Sequence, residues 1–435
     1  MGRSVGAPAP SKARFVHGSS VLRVDGVRHA VDRDELTAAY PAALRIGSGK
    51  VGSSFAVRIG DRWFQSPISW FEQSKQFRVS PGFEGDRHLD FDRPIRPECL
   101  RCHASGSVAE PQPIGCERCH GDASAHAAKP SFTNIINPSK LARVPRDSVC
   151  EQCHLQGAAR VLLEKKAPEN FRPADPLEST WLTYIAPDDF KVASHAELFA
   201  QSPCARSGKL WCASCHNPHP TAAKPQRTTD SVCLDCHQQH ERGESQCASC
   251  HMPKRAVADV VHTAYTDHRI QRPGSTLTLQ GLQPWRGDSP RERGLAMFEV
   301  GEARGDVEML QQAYRILVSQ PARDPAVLAA LGTLTLQKSR PVEAAQLFEQ
   351  AVRQEPGNAE AWFRLGLAQQ AAGKTDAAVD AFQAASKADP YFFQAYVAEA
   401  TLRKSDKSEY RRILERYLRH VPQSLAARKA LAAAR

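Results

Sequence analysis

The chain has 435 residues, with 57 Lys+Arg against 47 Asp+Glu for a net charge of +10, and 41% hydrophobic residues. This is ordinary globular composition, long enough for two or three domains. No run of eighteen apolar residues occurs, which excludes a membrane-spanning helix, and the basic residues form no block, which argues against nucleic acid.

Residues 1–98 contain no Cys and read as a small β-containing part. Within Ser54 to Gln65, Phe55, Val57 and Ile59 alternate, Gly60-Asp61 supplies a turn, and Trp63-Phe64 returns as a hairpin. Just upstream, Gly47 to Gly52 fits G-x-G-x-x-G. A strand pattern follows where nucleotide binding needs a helix, and Val51 after Lys50 breaks a phosphate loop. Nucleotide binding is set aside.

All thirteen cysteines lie between Cys99 and Cys250, and twelve of them form six C-x-x-C-H segments. These are Cys99/Cys102/His103, Cys116/Cys119/His120, Cys150/Cys153/His154, Cys212/Cys215/His216, Cys233/Cys236/His237 and Cys247/Cys250/His251. Two thiols at this spacing can add to the two vinyl groups of one porphyrin, and the adjoining His then serves as proximal iron ligand. Paired C-x-x-C units also build Cys₄ zinc sites, but neither zinc nor a disulfide needs His directly after the second Cys. With 16 His in 435 residues, six such placements by accident have odds of about one in 10⁸–10⁹. The segments predict six covalent c-type haems over residues 99–268. First-cysteine intervals of 17, 34, 62, 21 and 14 residues group haems one and two, then four, five and six. Without cofactor this region is not expected to fold.

A low-spin electron-transfer haem takes a second axial His. The candidates for those distal positions are His88, His126, His195, His219, His262 and His268, with His240 the first to be dropped. His195 is expected on a helix over residues 189–201. Asp267 is expected to orient a neighbouring His, and Asp86 and Asp90 to orient His88. The 57 residues between His154 and Cys212 hold Trp181, Tyr184, Phe190 and Cys204. They read as a packing loop around the third haem, with the wall of a catalytic pocket as the alternative and Cys204 as an inert thiol.

Six oxidised haems with two propionates each would bring the net charge down to about +4, so the basicity reads as a counter-charge. Met1 to Ser20 has no apolar stretch of seven and does not read as a secretory signal. Covalent haem attachment is done outside the cytoplasm, so the expectation is a periplasmic or otherwise exported protein whose start is misassigned or truncated.

Residues 99–268 resemble multihaem c-type cytochromes related to the tetrahaem electron carriers of hydroxylamine oxidation and to octahaem tetrathionate or nitrite-type reductases. The resemblance rests on the six motifs, on Cys215-His216-Asn217-Pro218-His219, which looks like the CHxPH element of that class, and on His126 soon after Cys119-His120. It implies haem-mediated electron transfer, and the class includes members fused to tetratricopeptide repeats.

Residues 269–293, with Pro273-Gly274 and Gly287-Asp288, read as a linker. Beyond it lies an internal repeat. Leu331-Gly332, Ala344, Phe348, Ala351 and Pro356 recur 34 residues later as Leu365-Gly366, Ala378, Phe382, Ala385 and Pro390. These are the small and large positions of a tetratricopeptide repeat, with degenerate units around Tyr314 and Tyr417. The basic run from Arg403 to Arg419 reads as a solvated face.

The expected architecture is mostly α: a loop-rich multihaem cytochrome c domain over 99–268 with its β-containing part over 1–98, then an α-α solenoid over 294–435. The leading functional reading is an exported carrier passing electrons through six haems, with the repeats docking a redox partner protein. The alternative is a multihaem reductase or oxidase of a small nitrogen or sulfur compound with one open haem site, drawing on His240, Arg160, Lys165 or Tyr184. A third reading makes the solenoid primary and the haems a redox sensor.

Overall fold

The computed structural model describes residues 4–85, 89–187, 190–219, 228–237, 246–260, 263–272, 281–321 and 323–434. The chain opens with eight antiparallel strands: β1 (Val5–Gly6), β2 (Ser11–His17), β3 (Ser20–Gly26), β4 (Arg28–Arg33), β5 (Leu36–Ile46), β6 (Gly52–Ile59), β7 (Arg62–Phe71) and β8 (Gln76–Val79). They run β2 to β8 in sequence order, with β1 beside β5. Register follows alternation: Leu22 faces Val31, which faces Ala38, so their side chains share one buried face. The expected hairpin is β6–β7, closing at Ile59 opposite Arg62. The strands around it were not foreseen. Their outward positions carry charge, as in the Arg23–Asp32 pair at 2.6 Å between β3 and β4.

The cysteine-bearing region is built from short pieces. Five of the six motifs lie on or at the end of α1 (Pro97–His103), α2 (Glu117–His120), α4 (Arg143–His154), α7 (Cys212–Cys215) and α9 (Cys247–His251). The fifth motif straddles the end of α8 (Thr229–Leu234). One helical turn puts Cys at i, Cys at i+3 and His at i+4 on one face. Between them stand α3 (Ser124–Ala128), α5 (His195–Ala200) and α6 (Pro203–Arg206). The small strands are β9 (Ser105–Gly106) with β10 (Pro111–Gln112), β11 (Ala159–Leu162) with β12 (Trp181–Ile185), and β13 (Lys254–Ala256) with β14 (Ala264–Thr266).

The linker is shorter than expected. β15 (Gln283–Pro284) pairs with β12, and Pro290 already opens a helix whose N-cap is Ser289. Helical hairpins follow: α10 (Pro290–Arg304) with α11 (Val307–Val318), α12 (Pro325–Gln337) with α13 (Pro341–Gln354), α14 (Ala359–Ala371) with α15 (Thr375–Ala388), and α16 (Phe393–Leu402) with α17 (Lys407–Leu418). α18 (Leu425–Ala433) ends the stack. The repeat residues act as their sizes require: a Cβ on Gly332 would stand 2.8 Å from Phe348, and one on Gly366 2.5 Å from Phe382. Much of the basic run is paired within the solenoid, Arg412 with Glu409 at 2.7 Å and Arg411 with Glu415 at 3.6 Å.

Both ends of the solenoid are docked. At one end, Leu295, Ala296 and Val300 of α10 share a core with Ala159, Val161 and Tyr184 of the middle region. At the other, Ile413, Tyr417, Val421 and Leu425 share a core with Leu22, Val31, Phe64 and Phe91 of the N-terminal part. The sheet foreseen as belonging to residues 99–268 alone therefore also serves the solenoid.

Candidate functional site

A single chamber of about 3120 Å³ lies in the cysteine-bearing region. It is several times the roughly 300–1,000 Å³ of a small-molecule pocket. All six motif histidines and every motif cysteine except Cys250 line it, together with His126, His195, His219 and His268. The sheet contributes a wall through the β5–β6 loop and through Ser69 to Phe71.

Histidines from distant motifs meet inside. The rings of His120 and His219 are 5.8 Å apart and nearly parallel, at 22°. His154 and His195 are 5.3 Å apart, His216 and His268 6.1 Å, and His195 and His268 4.6 Å. Two imidazoles on opposite sides of one metal ion, each bound at about 2.0–2.1 Å, have centroids about 6.3–6.5 Å apart. The first three separations approach that value. The fourth is too short for it, so His195 and His268 do not face each other across one ion.

The ring nitrogens are oriented for this role. His120 Nδ1 donates to the Ile136 carbonyl at 2.6 Å, His251 Nδ1 to Gln271 at 2.8 Å, and His268 Nδ1 to Thr266 at 2.9 Å. His126 Nδ1 is held by the Ser131 carbonyl at 3.0 Å. A carbonyl only accepts, so each Nδ1 carries the proton and each Nε2 keeps its lone pair. Burial pulls His103, His154 and His268 below the ordinary imidazole range and His195 down to about 3. These rings are neutral at neutral pH, as a metal ligand must be.

Thiols also meet across motifs, Cys102 with Cys153, Cys150 with Cys212 and Cys233 with Cys247. Among the described residues, no three His, Cys, Asp or Glu side chains converge to hold a bare metal ion. Contacts between pairs drawn from different motifs suit several large cofactors with touching edges. A porphyrin fills roughly 500–700 Å³ at protein packing density, so the chamber has room for about four to six.

Several expected details differ. His88, His240 and His262 lie outside the described residues. His195 does stand on a helix, α5, which begins at His195 itself after the N-cap Ser194. Among the described residues Asp267 bonds no histidine and is held by Arg255 at 3.1 Å and by Arg269. Asp90 accepts from the N-terminus of α18, and its expected partner His88 lies outside the described residues. Tyr184 Oη donates to Asp288 at 2.9 Å and lies outside the chamber lining, as does Lys165. Arg160 and Cys204 do line it. Trp181 forms part of the wall. Arg101 and Arg118, which the sequence reading had not singled out, also face inward; each sits inside or beside a motif, which was the available signal.

Residues 329–391 match the tetratricopeptide repeat family model. Solved structures similar to this chain include MamA, at 21% identity over 33% of this chain and 80% of that one, with a TM-score of 0.29. Another is YrrB, described as a tetratricopeptide protein with an unusual peptide-binding site, at 20% identity over 32% and 73%, with a TM-score of 0.27. A third is the first such domain of Spaghetti (RPAP3) bound to the HSP90 peptide SRMEEVD, at 19% identity over 25% and 91%, with a TM-score of 0.23. At these scores they add nothing beyond the repeat match. No curated protein matches the chain. The helical C-terminal region is tetratricopeptide-like, with residues 329–391 matching the repeat itself, and such repeats suggest a protein–protein interaction role. Among the described residues, no helix is long and apolar enough to cross a membrane.

Proposed function

We propose that the chamber holds six covalent haems and that the protein is an exported electron carrier whose solenoid docks a redox partner. The observation that carries this reading is the convergence of His120 with His219, His154 with His195 and His216 with His268. Each pair joins a motif histidine to one outside the motifs. The twelve motif cysteines would supply the thioether bonds, and His103, His120, His154, His216, His237 and His251 the proximal nitrogens. His126, His195, His219 and His268 remain the distal candidates within the described residues. When bound, such groups supply one-electron transfer between ferric and ferrous iron.

The chain's own part is positional. Carbonyls of Ile136, Gln271 and Thr266 fix the ring tautomers, and the shared wall brings neighbouring sites within one chamber. At the three paired sites a second histidine would leave no iron position open, which favours carriage over substrate chemistry there. Intact-mass measurement after expression with a haem-attachment system should show six haem increments, and electron paramagnetic resonance of the oxidised protein should show low-spin haem. Fewer than five increments, or stoichiometric zinc, would end the haem reading. A full high-spin haem that binds nitrite, hydroxylamine or sulfite would replace the carrier by a reductase.

A further inference from the structure

One wall of the chamber concentrates positive charge: Glu169 lies near Arg101, and Glu151 and Glu197 near Arg160, but none of them forms an ion pair or hydrogen bond with these guanidinium groups among the described residues. The guanidinium carbons of Arg101 and Arg160 lie 4.4 and 5.7 Å from the centroid of the same indole, Trp181. Arg118 completes the group: it donates to the Ala104 carbonyl at 3.1 Å, and its own carbonyl accepts from Gln152 Nε2 at 2.8 Å. The Gln152 carbonyl in turn accepts from Arg160 at 2.9 Å and faces Cys102 Sγ at 3.7 Å. All three arginines and Trp181 line the chamber.

Their partners are the telling feature. Arg118 and Arg160 bond only to backbone carbonyls among the described residues, and Arg160 Nε is buried with no partner. Arg101 has no hydrogen bond or ion pair among the described residues. Like charges gathered in a poorly hydrated wall repel strongly, and the cost is relieved only by a counter-charge. Guanidinium forks match the paired oxygens of a carboxylate or similar planar oxyanion, and an aromatic face holds the fork flat.

We infer that Arg101, Arg118 and Arg160, set on Trp181, form an oxyanion-binding pocket between the first and third attachment motifs. Two sources offer that chemistry: the propionate carboxylates of cofactors tethered at Cys102 and Cys153, or a small free oxyanion entering the chamber. The first source rests on the proposed haem content; the pocket itself does not.

The experiment compares full-length wild type, Arg101→Gln and Arg160→Gln, each purified after expression with a haem-attachment system. Intact mass counts the haems, a spectroelectrochemical titration gives their potentials, and a nitrite titration is followed by calorimetry and absorbance. If propionates occupy the pocket, Arg101→Gln moves one potential to a more negative value, Arg101→Lys recovers part of the shift, and nitrite binds none of the proteins. If a free oxyanion is the ligand, nitrite binds wild type saturably and at least tenfold more weakly to Arg101→Gln. Unchanged potentials and unchanged nitrite response with the haem complement intact would overturn the pocket. A wild type carrying no haem would overturn the proposed function instead, and the nitrite titration of that same protein would still decide the pocket: tenfold weakening in Arg101→Gln supports it, equal or absent binding overturns it. Should Arg101→Gln fail to fold, Arg118→Gln takes its place in each comparison.

Discussion

Asp90, in the segment leaving the sheet, accepts a hydrogen bond of 2.7 Å from the backbone N–H of Leu425, which stands 335 residues further along the chain. The N–H of Ala426 reaches the same oxygen at 3.2 Å and Ser424 Oγ at 3.3 Å. One end of the protein thus caps the last helix of the other. Replacing Asp90 by Ala strands two N–H groups in a buried seam, and should cost about 1–3 kcal/mol in denaturant unfolding. A loss within error would mean that the seam contributes nothing to stability.

The same residue sets a pH dependence. Burial pushes the Asp90 carboxyl above the ordinary carboxylate range, against the backbone N–H groups of Phe91, Ala426 and Leu425. With the folded value above the unfolded one, its contribution is whole below about pH 4 and is lost as pH rises through the folded value. The stability difference between wild type and Asp90→Asn should therefore shrink from pH 4 upward. A difference that grows with pH would contradict this assignment.

A second seam depends on Gly60. Its φ is +61°, and a Cβ there would stand 2.1 Å from Tyr391 Oη, which donates to Asp61 at 2.7 Å. Arg62 pairs with Asp389 at 2.7 Å beside it. Gly60→Ala should destabilise by about 1–2 kcal/mol through backbone strain, and more while Tyr391 is present. In a double-mutant cycle with Tyr391→Ala, the two losses should fall short of additivity. Full additivity would place Tyr391 away from the turn.

Pairing of His120 with His219 makes a spectroscopic prediction. His219→Ala removes a ligand nitrogen, so one haem should turn high-spin in the oxidised protein while the other signals stay unchanged. On the proposed pairing, in which their rings would serve different irons, His195→Ala and His268→Ala should each convert one further haem. Conversion of no haem by His195→Ala would break the proposed pairing with His154. Cys204→Ser should leave the haem count untouched.

The solenoid offers a packing test. Phe382 is fully buried beneath Gly366. Phe382→Ala should cost about 3–5 kcal/mol by cavity formation, read from thermal or chemical unfolding.

Legibility in the sequence followed the range of the interaction. The 34-residue offset and the Gly60-Asp61 turn are local patterns, and both elements stand where they were expected. The remaining strands hid because Arg23, Asp25, Arg28 and Asp32 give β3 and β4 a polar, loop-like composition, and only cross-strand pairing explains them. Asp90 and Asp267 sit near candidate histidines in sequence, yet distant or stronger partners hold them. Candidate distal histidines could be gathered as a set from composition. Which one faces which motif depends on loops whose course no periodicity encodes.

The shared core of Phe64 and Leu425 also fixes an order in time. During synthesis the sheet emerges first, and its apolar face waits for helices made last. At about 5–20 residues per second, the 335 residues between Asp90 and Leu425 take roughly twenty to seventy seconds to appear. Throughout that interval the nascent chain exposes Leu22, Val31 and Phe64 without their cover. Any premature stop before Leu425 leaves that face bare for good, making a shortened product prone to aggregate however well its repeats fold.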